Sequence, residues 1–194
     1  AEAVRVFSEW GMNEKVVEGI DIPEGYELKI INFPYEVNLE LTKYKKVIAV
    51  GWSFGCYYLS KFIKTTDRKF EKVVGINGNG EIIGKYGITP KIFEFTLVTL
   101  TPESLLKFYK NMEIDRGFKN PEKDFEMVKE ELQYFKDNYQ GIDNIFDEII
   151  IGERDKIVPV MRQNKYCEEK NIGYRVFDMG HYPFNYIKSW SEII

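Results

Sequence analysis

A chain of 194 residues, 44% hydrophobic and 15% aromatic, is long enough for one globular domain with a sizeable core. Its net charge of −4 and its 30% of interspersed charged residues offer no basic tract for nucleic acid. No apolar run approaches the ~20 residues of a membrane-spanning helix. Two cysteines form no disulfide framework, and a single histidine without clustered cysteines forms no zinc site. A reduced, cytoplasmic protein without metal or organic cofactor is therefore expected. The chain begins with Ala1 rather than Met, so a processed or trimmed start is expected as well.

Taken in order, residues 4–7 form a short strand that runs into Ser8-Glu9-Trp10-Gly11-Met12. Residues 26–31 form a second, after the turn Ile22-Pro23-Glu24-Gly25. The apolar run Val47-Ile48-Ala49-Val50 is a third, of a kind that is buried on both faces. It leads directly into Gly51-Trp52-Ser53-Phe54-Gly55, after which Cys56, Leu59 and Ile63 recur at helical spacing. A G-x-S-x-G pentapeptide between a buried strand and an amphipathic helix is the nucleophile elbow of an α/β-hydrolase. The glycines permit a sharp turn, and Ser53 is exposed at its apex beside helix amides that favour negative charge.

Residues 73–76 form the fourth strand, leading into Asn77-Gly78-Asn79-Gly80; residues 148–151 form the fifth and 174–177 the sixth. Short apolar strands separated by helix-length segments predict a mostly parallel sheet flanked by helices, in one domain spanning 1–194. The interval 81–147 far exceeds the dozen or so residues of a simple crossover. It carries helix signals at Thr101-Pro102 and at Asn120-Pro121, the latter followed by Phe125, Val128, Leu132 and Phe135 on one stripe. A helical lid above the active edge is expected there.

A serine nucleophile needs a base, and His181, on a loop after the last strand, is the one histidine in the chain. The base needs an acid to hold its tautomer. Asp155, after the run Ile149-Ile150-Ile151 and before Val158-Pro159 opens a helix, completes the order Ser…Asp…His. Glu153 and Asp178 are its competitors. The backbone amides of Phe54 and Trp10 are the expected oxyanion donors. Trp10 has a packing role as its alternative, and Trp52 is expected to wall the substrate pocket.

The combination of Trp10-Gly11, Gly51-Trp52-Ser53-x-Gly55, Asn77-Gly78-x-Gly80, Gly87-Ile88-x-Pro90, Arg154-Asp155-Lys156-Ile157 and His181-Tyr182-x-Phe184 resembles the BioG-type pimeloyl-acyl-carrier-protein methyl ester esterases of bacterial biotin synthesis. The resemblance implies removal of a methyl group from a pimeloyl ester that is still linked through phosphopantetheine to its carrier protein. Two departures accompany it. Glu9 stands where similar proteins usually have glycine before the tryptophan, and the chain starts almost at the first parallel strand, without the usual N-terminal edge strand.

A carboxylic ester hydrolase is thus expected, with Ser53, His181 and Asp155 as its catalytic residues. An esterase or thioesterase for another acyl group is the alternative within the class, and a catalytically silent scaffold for acyl groups or a protein partner is the alternative outside it. Trp10, Trp52, Ile88, Phe93, Phe95, Leu97 and Leu105 are expected to contact the acyl chain. Arg116, Lys119 and Lys123 are expected to meet the acidic carrier, with Arg154, Lys156 and Arg162 as the alternative docking surface.

Overall fold

A computed structural model describes residues 2–37, 43–113 and 123–194. Its strands lie where the apolar runs place them: β1 (Glu2–Phe7), β2 (Tyr26–Ile31), β3 (Val47–Trp52), β4 (Lys72–Ile76), β5 (Glu148–Gly152) and β6 (Gly173–Phe177). They form one sheet in the order β2-β1-β3-β4-β5-β6, parallel at every pairing among the described residues. Every residue of β3 is buried, as a central strand covered on both faces requires.

Five α-helices among the described residues accompany the sheet: α1 (Phe54–Thr65), α2 (Pro90–Val98), α3 (Pro102–Asn111), α4 (Phe125–Asn138) and α5 (Val160–Lys170). The interval 81–147 contributes α2, α3 and α4. α3 begins as expected, with Thr101 and Ser104 in a reciprocal capping box and Pro102 in the first turn. α4 begins at Phe125, behind an Asp124 cap, and the expected start at Asn120-Pro121 lies outside the described residues. α2 was not anticipated as a helix. Its signal is the same as that of α3: Thr89 caps the Ile92 amide and Pro90 follows in the first turn.

Strand order reverses at β1. The chain leaves β1 toward β2 on one side and returns to β3 on the other, so the loops after β1 and β3 diverge and open a crevice at their carboxyl ends. Gly55 of the elbow brings these two loops close together, and Gly51 lets the elbow itself fold tightly. A Cβ on Gly55 would sit 1.9 Å from the Phe7 carbonyl oxygen, and one on Gly51 would sit 2.7 Å from Cys56 Cα. The start of α1 therefore rests directly on the backbone at the end of β1, an approach open only to glycine.

Gly55→Ala should accordingly destabilise the protein by about 4 kcal/mol or more, lowering Tm by about 10 °C. The control is Gly173→Ala at the start of β6, where a Cβ meets nothing within 4 Å. Equal Tm values for the two variants in a thermal melt would show that α1 can move away from β1.

Candidate active site

Ser53 sits at the apex of the turn with φ 56° and ψ −120°, a conformation that costs a non-glycine residue on the order of 1–3 kcal/mol. It precedes the first residue of α1, yet its hydroxyl caps no helix amide. Ser53 Oγ is buried and makes no hydrogen bond among the described residues. The Ser53 amide donates to the Ile76 carbonyl and its carbonyl accepts from the Cys56 amide, so the main chain is held while the hydroxyl is left uncommitted.

His181 and Asp155 meet from two different loops. Asp155 Oδ2 lies 2.7 Å from His181 Nδ1, and Asp155 Oδ1 accepts the amides of Ile157 and Val158 at 2.7 and 2.9 Å. Both side chains are fully buried. The other two carboxylates considered for this place are elsewhere: Glu153 is exposed, and Asp178 pairs with Arg154 at the surface. Asn77 joins the two loops. Its amide group donates to the Gly180 and His181 carbonyls at 3.1 and 2.9 Å, while its Oδ1 accepts the Gly152 amide at 2.7 Å. That gives the Asn77-Gly78-Asn79-Gly80 segment a structural purpose, and Gly78 belongs to it, since a Cβ there would come 2.5 Å from the Ser53 carbonyl oxygen. Trp52 donates its Nε1–H to the His181 carbonyl at 3.0 Å.

The carboxylate of Glu9 occupies the centre of the site. Glu9 Oε1 accepts the Trp10 amide at 2.6 Å and, more weakly, the Phe54 amide at 3.4 Å. Glu9 Oε2 lies 2.6 Å from His181 Nε2, and the Glu9 side chain is fully buried. The two amides expected to hold an oxyanion therefore converge on one oxygen, and it is a carboxylate oxygen of the chain itself. Burial alone would push His181 toward its neutral form. Asp155 on one nitrogen and Glu9 on the other outweigh it and raise the imidazolium pKa to about 10.

Helix α4 fixes the loop that carries Trp10. The indole Nε1–H of Trp10 donates to the Val128 carbonyl at 2.8 Å, and the Gly11 amide donates to Glu131 Oε2 at 3.1 Å. Lys123 turns inward to Glu131, 3.4 Å away, rather than outward toward a partner. Burial pushes the Glu131 carboxyl up to about 7 despite Lys123 and the Gly11 amide, with Glu9 adding to the rise. Sequence reading missed Glu131, although its position on the Val128–Leu132–Phe135 stripe of α4 marked it as a buried acid.

A cleft of about 180 Å³ opens beside the two amides, with Trp10, Phe54, Ile88, Phe93 and Leu132 in its walls and Lys156 at its edge. Of the residues expected along an acyl chain, Trp10, Ile88 and Phe93 are brought together here. Leu97 and Leu105 are buried in the core, Phe95 is mostly exposed over a neighbouring groove, and Trp52 lies beneath the His181 loop, edge-on to Phe184. Arg116 and Lys119 lie outside the described residues. Arg154 is engaged by Glu113 and Asp178, and Arg162 donates to the Gly84 and Gly87 carbonyls. Among the described residues no group of three or more His, Cys, Asp or Glu is placed to hold a metal ion. No helix among them is long and apolar enough to cross a membrane.

Comparison with known proteins gives the family and the fold. A family model described as pimeloyl-ACP methyl esterase BioG matches residues 1–193. A Bacteroides fragilis protein named malonyl-[acyl-carrier protein] O-methyltransferase is 28% identical in an alignment 206 positions long that covers 96% of this chain. The chain spans only 41% of that relative's length. Among solved structures, BioG from Haemophilus influenzae matches with TM-score 0.87 at 24% identity, covering 99% of this chain and 94% of that one. A lipase-esterase related protein from Clostridium acetobutylicum matches with TM-score 0.66 at 18% identity, covering 94% and 88%. The fold is that of the α/β-hydrolases.

Glu131 makes stability depend on pH. Its carboxyl titrates near 4.5 when unfolded and about 7 when folded, so between those values the folded state holds more protons and stability falls as pH rises. Glu131→Gln removes that titration. The Tm advantage of this variant over the parent should grow from pH 4.5 to 7 and level off above, as measured by thermal melts across that range. A pH-independent difference would mean that Glu131 is not held as a buried acid.

Proposed function

The chain belongs to the pimeloyl-ACP methyl esterase family BioG, and on that premise we propose that it hydrolyses the methyl ester of a pimeloyl chain carried on acyl-carrier protein. Ser53 Oγ attacks the ester carbonyl as His181 Nε2 takes its proton. Asp155 holds the imidazole and stabilises its charge. The tetrahedral oxyanion is received by the Trp10 and Phe54 amides. Collapse expels methanol, protonated by His181, and leaves an acyl-Ser53 ester. Water, deprotonated by His181, then frees the carboxylate and restores the serine.

The observation that carries this reading is the convergence of the Trp10 and Phe54 amides on one anionic oxygen beside the Asp155–His181 pair. The cleft next to them suits a thin apolar chain. Helices α2, α3 and α4 act as a lid over this edge. The carrier protein, the phosphopantetheine link and a cytoplasmic location are part of the same proposal.

One observation favours a silent scaffold instead, namely that Glu9 fills the place of the oxyanion. Fluorophosphonate labelling, followed by hydrolysis of methyl pimeloyl-carrier-protein beside simple p-nitrophenyl esters, separates the two readings. Ser53→Ala should keep its fold and lose turnover by several orders of magnitude. Near-normal hydrolysis by this variant would remove the serine mechanism, and an unlabelled parent that turns over no ester would favour the scaffold.

A further inference from the structure

We propose that Glu9 is a built-in plug that holds the free protein in a closed, product-like state and must withdraw before an ester can react, an inference that rests on the roles given above to Ser53, His181 and the two amides. Both oxygens of Glu9 are committed. Oε1 takes the amides that would hold the ester's carbonyl oxygen as it becomes an oxyanion, and Oε2 takes the nitrogen that would receive the serine proton. An ester carbonyl cannot share that space. Ser53 Oγ is correspondingly left without a partner among the described residues.

A carboxylate lying across two amides and an imidazole also reproduces the position of the acid formed by hydrolysis. The plug is tethered, so it competes at high effective concentration without new contacts elsewhere. Its removal needs only rotation of one side chain on a loop already pinned by the Trp10 indole to Val128 and by the Gly11 amide to Glu131.

Charge reinforces the closed state. With Asp155 and Glu9 on its two nitrogens, His181 retains its proton well above neutrality, and an imidazolium cannot accept the proton of Ser53. From α4, Glu131 faces Glu9 with Lys123 beside it, and ionisation of Glu131 at about pH 7 sets a second negative charge against the plug. Tyr35 and Tyr109 face both carboxylates, Tyr58 faces Glu131 and the Cys56 thiol faces Glu9; burial raises the pKa of each, so all four remain uncharged around neutrality. Rising pH therefore weakens the plug from both sides.

The test uses the parent chain, Glu9→Gly and Glu9→Gln, with Glu9→Ala as a second cavity variant should the glycine loosen the loop. Each is followed by the rate of fluorophosphonate labelling and by p-nitrophenyl ester hydrolysis between pH 5.5 and 10, with and without acetate. Glu9→Gly should label at least about tenfold faster at pH 7, because the competent fraction sets the apparent rate. Its acidic limb should move down toward the ordinary histidine range near 6.5. Acetate should inhibit Glu9→Gly competitively and leave the parent unaffected, since it re-enters the vacated carboxylate site. Glu9→Gln should shift the acidic limb downward while still labelling slowly, because its amide fills the same space without the charge. Equal labelling of the parent and the folded Gly or Ala variants would overturn the plug alone. Slower turnover in both would make Glu9 a participant in the reaction and overturn it too. No labelling in any form would remove the role of Ser53 and the plug with it.

Discussion

The contact on which the site depends is the approach of Gly55 to the Phe7 carbonyl. Because no Cβ separates them, the first turn of α1 lies against the end of β1. The amides after β3 and those after β1 can then face one another across the crevice where strand order reverses. Move α1 outward by a methyl group and the Phe54 and Trp10 amides no longer share one oxygen. The strained φ of Ser53 belongs to the same arrangement: a turn this tight spends conformational energy so that the hydroxyl stands clear of the helix cap.

A second set of constraints acts on the opposite loops. Asn77 binds the carbonyls of Gly180 and His181 with one group and the Gly152 amide with the other, so the loops carrying Asp155 and His181 are positioned by a single side chain. Trp52 adds a further donor beneath the same histidine. These are buried polar groups with satisfied partners, the condition under which such a network rigidifies rather than destabilises. The helices from the 81–147 interval act on the other half of the site. Of these, α4 holds the Trp10 loop through Val128 and Glu131, and so shapes the amide that borders the cleft.

Glu9 changes how the chemistry of this site is to be read. With glycine at this position two amides would converge on unoccupied space; with glutamate they converge on a carboxylate that also reaches His181. The same side chain displays the anion-holding capacity of the site and occupies it. Glu131, on the far side of the loop, makes the arrangement sensitive to charge, because two buried carboxylates sit close together, one offset by His181 and the other by Lys123.

Much of this was legible before any coordinates. The four inner strands appear as short apolar runs, and the elbow as glycines flanking a serine between a strand and a helix, because burial on both faces and a close turn each leave a compositional mark. Ser53, Asp155 and His181 follow from residue type and chain order. Helix α2 was legible in the Thr89-Pro90 cap and went unread, and Glu131 was legible as an acid on an apolar stripe. What sequence could not supply is where side chains end. Phe95, Leu97 and Leu105 share the composition of Phe93, yet only Phe93 faces the cleft, since the phase of a short helix against its neighbours is set by packing. Lys123 reads as a docking cation until Glu131 is found beneath it. Glu9 was visible as an unexpected charge, but only the folded chain decides that its carboxylate meets both amides and the histidine, because those partners come from three segments brought together by the reversal of strand order at β1.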